Sequence, residues 1–130
     1  MFDTLSCLLG LSILLGLLHL LLSATLVSVS RGLKWSIGAR DGAAPPLSVH
    51  ADRSQRAARN FLETFPFFAA AVLCAIATSK EGHLALLGEQ LYFWARVAYL
   101  PLYLIGIPLI RSLAWGVSLA GLLMVVATFI

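Results

Sequence analysis

Four stretches of nearly unbroken apolar sequence dominate the chain: Leu5 to Val29, Asn60 to Thr78, Leu84 to Ile107 and Leu113 to Ile130. A helix that crosses the hydrocarbon core needs roughly 20 largely apolar residues, and each stretch is close to that length. Of the 130 residues, 60% are apolar and 12% charged, whereas a soluble domain is about half apolar and about a quarter charged. The reading is an all-α integral membrane protein, a single four-transmembrane-helix bundle over residues 1–130. Ser30 to Asp52 is the one segment long enough to be a real loop. Any site must therefore be assembled from helices and short loops.

The first span opens MFDTLSCLLG, with Asp3 and no Lys or Arg. A secretory signal carries a basic n-region and a shorter apolar run, so this span is read as a retained helix. Cys7 and Cys74 lie within apolar segments without metal-ligand spacing and read as buried thiols; no metal site is expected.

The basic residues are clustered. Arg31, Lys34, Arg40, Arg53, Arg56 and Arg59 fall in or beside the first loop and Arg111 at the third, while the second loop, TSKEGH, offers Lys80 alone. The positive-inside rule then places the first and third loops in the cytoplasm and both termini outside. The net charge of +3 describes a cytoplasmic rim able to meet anionic lipid or an anionic ligand, not a nucleic-acid surface.

Along the chain, Gly10, Ser12, Gly16, Ser23 and Ala24 give the first helix small residues for close helix contact. His19 is the ionisable group in its middle. It reads either as a proton carrier or, the preferred reading, as a neutral histidine bonded to a neighbouring helix. The loop is punctuated by Asp41-Gly42 and Pro45-Pro46, with Trp35 as an interfacial anchor. The next helix is expected to start near Asp52, capped by Asp52 or Ser54. It carries Arg56, Arg59, Asn60 and Glu63 at i, i+3, i+4 and i+7, one helical face, which Arg53 extends. Pro66 is expected to kink it. In the third span Arg96, Tyr99 and Tyr103 repeat the device at i, i+3 and i+7. Such groups in a lipid-spanning helix should face protein or water. His50 and His83 read as loop residues.

One reading of these faces is that Glu63 neutralises Arg96 or Arg111 between packed helices, as buried ion pairs often do at little gain in stability. However, Arg56, Arg59, Arg96 and Arg111 outnumber that acid, and the surplus suits a bound anion. Arginines grip carboxylates through paired hydrogen bonds, a glutamate holds an ammonium group, and an asparagine pairs with a peptide amide. Glutathione, a small peptide with two carboxylates and a free amine, would meet all of these.

The run RAARNFLETFPFF (Arg56 to Phe68), together with ARVAYLPLY and the later IRS, resembles the MAPEG family, the membrane-associated proteins of eicosanoid and glutathione metabolism, in a bacterial-type member. The resemblance implies a four-helix subunit that forms a homotrimer and holds glutathione, as cosubstrate, between subunits near the cytoplasmic face. By that resemblance Arg56, Asn60 and Glu63 fall on glutathione-binding positions. Arg59 matches an additional arginine of the prostaglandin E synthase branch. Tyr99 and Tyr103 match peptide-contacting positions of the third helix, Tyr99 being like the leukotriene C4 synthase branch. Arg111 falls on the arginine credited with stabilising the thiolate, and Ser112 follows it. Arg31 and Arg96 join the candidate glutathione-binding set. Thr64 departs from the tyrosine of the leukotriene branch, and the mixture of branch features leaves the second substrate open.

The implied activity is that of a glutathione transferase or peroxidase acting on lipophilic electrophiles or lipid hydroperoxides in a bacterial inner membrane. A guanidinium beside the sulfur favours the thiolate. Lowering that thiol pKa by two units would take about 2.7 kcal/mol. The competing reading is a non-catalytic lipid-binding or structural trimer whose charges pair internally.

Overall fold

A computed structural model describes residues 4–130; Asp3 lies outside them. Among the described residues the chain is all helix: α1 (Leu5–Arg31), a short α2 (Leu33–Ile37), α3 (Val49–Ala77), α4 (His83–Ile105) and α5 (Pro108–Val126). The four long helices run alternately up and down. One core cluster joins Leu5 and Leu9 of α1 to Phe68, Ala71, Val72 and Ala75 near the end of α3, Ala85 and Tyr92 of α4, and Leu122 and Val125 near the end of α5. At the opposite end of the bundle Ala57, Tyr99 and Leu100 pack with Leu22, Tyr103, Leu104 and Ala114.

α1, α3 and α5 are long and apolar enough to cross a membrane. In hydrocarbon a helix is the single-segment answer, because it satisfies its own backbone groups. Their outer faces stay apolar, with Leu21 of α1 67% exposed and Leu109 of α5 72% exposed. α4 has 23 residues, about 35 Å at 1.5 Å per residue, but it carries Glu89, Gln90, Arg96 and all three tyrosines. It tolerates them because α1, α3 and α5 all pack against it. Its contact with α5 is backbone to backbone. A Cβ at Gly88 would fall 2.6 Å from the Gly121 carbonyl oxygen, so glycine is what allows this approach.

The boundaries correct the sequence reading at two places. α3 begins at Val49, not near Asp52, because Ser48 is its N-cap and accepts from the Ala51 N–H at 3.2 Å, the usual way an orphan first-turn donor is satisfied. Ser54 instead donates to the Ala51 carbonyl from inside the helix, and Asp52 lies in the first turn. The helix continues through Pro66 to Ala77. α5 begins at Pro108, earlier than the expected Leu113, with the proline in the first turn, where its missing N–H costs nothing. His50 and His83 are therefore first-turn helical residues, not loop residues. Cys74 is exposed on the subunit surface and Cys7 half-buried, against the expected burial of both.

Gly106 ends α4 with φ 87°, in the left-handed region. Arg53 reaches across from α3 and donates through Nη1 to the carbonyls of Leu104 (3.0 Å) and Ile105 (3.3 Å). A cation on the last carbonyls of a helix complements its dipole. It also ties α3 to the turn that sets Tyr103 and Arg111, which are the side chains the site needs.

Candidate functional site

The polar stripe of α3 divides. Arg59 and Asn60 are consecutive, hence about 100° apart around the helix, with Arg56 and Glu63 between them. Asn60 turns towards α4. Arg59 and Glu63 instead line a hollow of ≈ 420 Å³ on the α1 flank, with Leu20, Ser23, Gln55 and Leu62. Arg56 sits between, half exposed, and pairs with Asp52 at 2.7 Å. Asp52 is thus an acid that the charge count above left out. Among the described residues Glu63 forms no salt bridge, so neither Arg96 nor Arg111 is its ion-pair partner.

Arg96 is fully buried. Its Nη1 donates to Asn60 Oδ1 at 2.7 Å and its Nη2 to Thr64 Oγ1 at 2.6 Å. Thr64 in turn shares a hydrogen bond with the Tyr92 hydroxyl at 3.1 Å. The guanidinium carbon stands 5.3 Å from the Tyr99 ring and 5.5 Å from that of Tyr92, within cation–π range. An arginine can only donate, so the atom of Asn60 that meets it is the oxygen, and the amide Nδ2 is left as a donor. Arg96 was a candidate for direct ligand contact. It lies behind the site and holds Asn60 in place.

In front of it, Asn60, Tyr99, Tyr103, Arg111, Ser112 and Trp115 line a polar hollow of ≈ 260 Å³. Arg111, in the first turn of α5, places its guanidinium carbon 4.6 Å from the Tyr103 ring, and Arg56 approaches the same ring at 5.9 Å. Tyr99 and Tyr103 lie 5.5 Å apart. The Ser112 hydroxyl donates to the Pro108 carbonyl at 2.9 Å, which leaves its lone pairs for a donor. Arg111 has no acid within ion-pair distance among the described residues. The hollow therefore carries uncompensated positive charge, amide and phenol donors and an aromatic wall, a set that attracts an anion with hydrogen-bonding groups.

With Arg96 behind the site, the other sequence-predicted residues fall into three places. Asn60, Tyr99, Tyr103, Arg111 and Ser112 come together, with Arg56 at the Tyr103 ring. Arg59 and Glu63 line the α1-side hollow, with Glu63 still near enough to Arg96 and Tyr99 for its charge to act on them. Arg31 lines an adjoining hollow with Trp35 and Arg40, which shares Leu20, Ser23 and Gln55 with that of Arg59 and Glu63. Trp115 and Tyr92 were missed, while Thr64 was named only as a departure from the family pattern and Asp52 only as a candidate cap. Thr64 and Tyr92 lie four residues from Asn60 and Arg96 respectively, so helical spacing could have found both. Glu89 was missed too. It is fully buried, and neither of its oxygens has a hydrogen-bond partner. Ser12 Oγ, His19 Nε2 and Arg96 Nε share that condition, so all such side-chain atoms among the described residues belong to α1 and α4. His19 itself donates from Nδ1 to Leu15 of its own helix at 2.9 Å, not to a neighbouring one, and its ring lies 4.7 Å from that of Phe61.

Compared with known families, the chain matches the MAPEG family over residues 8–130, nearly its whole length. The chain belongs to the MAPEG family. The match spans all four long helices and every residue of the hollow. No curated protein and no solved structure gives a significant match. MAPEG membership and the three apolar helices make this an integral membrane protein, and membership supports a glutathione-related function in general terms.

Proposed function

We propose that this MAPEG protein binds glutathione in the Asn60–Tyr99–Tyr103–Arg111 hollow and uses it as a transferase or peroxidase on lipophilic electrophiles or lipid hydroperoxides. The observation that carries the proposal is Arg111: a guanidinium without an acidic partner among the described residues, opening onto a polar hollow and packed on a tyrosine ring. Arg56, Asn60, Tyr99, Tyr103 and Ser112 bind the peptide, and Arg111 stabilises the sulfur as thiolate. The thiol proton leaves to water at the mouth. The thiolate then forms a carbon–sulfur bond as the leaving group departs. With a hydroperoxide it attacks the terminal oxygen, breaking the O–O bond to leave an alcohol, protonated by water, and a glutathione sulfenic acid. The thiol of a second glutathione then displaces water from that sulfur to give the disulfide.

The hollow of one subunit, ≈ 260 Å³, falls short of the roughly 300–1,000 Å³ usual for small-molecule sites. That shortfall, and the placement of Arg59 and Glu63 on the opposite flank, support a homotrimer in which each α1–α3 flank completes a neighbour's site. α4 makes the fourth crossing. Arg31, Arg53, Arg56 and Arg111 share one end of the bundle, which faces the cytoplasm of a bacterial inner membrane by the positive-inside rule. A structural trimer accounts for Arg53, Arg56 and Arg96, whose partners are internal, and for Glu63 as a charge acting on Arg96, but leaves Arg59 and Arg111 unexplained. The test is thermal denaturation in mild detergent with millimolar glutathione, beside a mass measurement. A ligand of the native state raises stability, so a trimer with a higher melting temperature is expected. A monomer, or a trimer indifferent to glutathione, contradicts the proposal.

A further inference from the structure

We propose that the elbow between α1 and α2 is a binding site for the headgroup of an anionic phospholipid. Arg31 and Arg40 line one hollow of ≈ 300 Å³ with Trp35, Ser36 and Gln55, above an apolar wall of Leu20, Ala24 and Val27. An adjoining recess adds Lys34 and one acid, Asp41. Three cations against one carboxylate leave the elbow positive.

Both guanidiniums are held in place with donors to spare. Arg31 donates from Nε to the Pro45 carbonyl at 3.1 Å, and its two terminal nitrogens make no hydrogen bond among the described residues. Arg40 donates to the Ser36 carbonyl from Nε at 3.1 Å and Nη2 at 2.7 Å. The backbone of Arg40 is left-handed, with φ 60°, a conformation that a non-glycine residue adopts at a cost and that concentrates at binding sites. The loop accepts this strain where Arg40 meets the lip of the hollow.

The occupant follows from the polarity gradient. Leu33 and Ile37 of α2, one turn apart on the same face, are 69% and 78% exposed, while Trp35 on the opposite side is half-buried against the hollow. Exposed apolar side chains with a tryptophan beside them suit a segment at the membrane surface. Basic groups beside a membrane attract anionic lipid. A phosphate between Arg31 and Arg40 would leave its glycerol and acyl chains beside Leu20, Ala24 and Val27. A soluble anion would use the cations and leave that wall unused. The elbow shares no lining residue with the Arg111 hollow but adjoins the Arg59–Glu63 hollow through Leu20, Ser23 and Gln55 and includes Arg31. Arg40 lines neither of those hollows, so it is the residue that separates the lipid site from the glutathione reading.

Native mass spectrometry of the purified protein, titrated with phosphatidylglycerol or phosphatidylcholine of matched chains, tests this. Wild type should retain phosphatidylglycerol preferentially. Arg40→Gly removes the guanidinium while glycine adopts φ 60° freely, so the loop keeps its shape. Its affinity for phosphatidylglycerol should fall about fivefold, with phosphatidylcholine binding and glutathione stabilisation unchanged. Lys80→Ala, in the opposite loop, should change nothing. Equal retention of the two lipids by wild type, or an unaltered Arg40→Gly, overturns the proposal. So does an equal stabilisation by inorganic phosphate, which would make the elbow a soluble-anion site.

Discussion

Replacing Arg96 by methionine should separate binding from stability. The change removes two charge-assisted hydrogen bonds, to Asn60 at 2.7 Å and Thr64 at 2.6 Å, each worth about 1.5–3 kcal/mol. Against that loss, no acid lies within ion-pair distance of this fully buried cation among the described residues, and Glu63 acts on it only from farther off. Removing it recovers several kcal/mol of desolvation. Thr64 keeps its bond to Tyr92, and the half-buried Asn60 can turn to water. The two effects nearly cancel, so the melting temperature without ligand should move little. Glutathione binding has no such offset. Asn60 would no longer be fixed with Nδ2 as the presented donor, and ordering it on binding costs about 0.5–1.5 kcal/mol in addition to a weakened hydrogen bond of about 1 kcal/mol. The affinity should fall roughly tenfold to a hundredfold. Calorimetry with glutathione, beside thermal denaturation, reads both quantities. If affinity is unchanged while the protein is strongly destabilised, Arg96 is a structural residue and the positioning argument fails.

Other perturbations follow from the packing and the site. Glu89→Met replaces a buried carboxyl that has no partner with a side chain of similar volume, and should stabilise by about 1–3 kcal/mol; a lower melting temperature would show that the carboxyl is paired. Gly88→Ala places a Cβ 2.6 Å from the Gly121 oxygen and should cost about 1–3 kcal/mol, while Gly116→Ala, with nothing within 4 Å, should cost almost nothing. Equal melting temperatures for the two would refute the close α4–α5 contact. Glu63→Gln should weaken glutathione binding by about 1.5–3 kcal/mol in the trimer, read by calorimetry, and an unchanged affinity would remove the α1 flank from the site.

The long helices were legible because apolar runs of membrane-spanning length leave few alternatives. The residues Arg96, Tyr99 and Tyr103 were likewise legible as a protein-facing stripe, since periodicity fixes which side chains share a face. What periodicity cannot fix is the neighbour that a face meets. Arg59 and Asn60 read as one stripe, yet the intervening 100° puts them on different flanks of α3. Arg96 read as a ligand contact because nothing in its own helix shows Asn60 and Thr64 opposite. The cap at Ser48 was hidden by the loop composition before it. The early start of α5 was hidden by the apolar turn Ile105 to Pro108, although proline at a first helical turn is a recognisable signal. Glu89 escaped notice because a lone acid has no pattern.

The central claim is that Arg111 holds the sulfur of bound glutathione as a thiolate. Thiolate absorbance in the ultraviolet, measured on the protein saturated with glutathione at neutral pH, tests it most directly. Wild type should show the band. Arg111→Ala should lose most of it while glutathione stays bound through its other contacts, and raising the pH should restore it as bulk base ionises the thiol. Arg111→Lys should keep part of it, since a point charge remains without the planar fork. An undiminished band in Arg111→Ala with glutathione bound would contradict the account and make Arg111 a peptide-binding or interfacial residue.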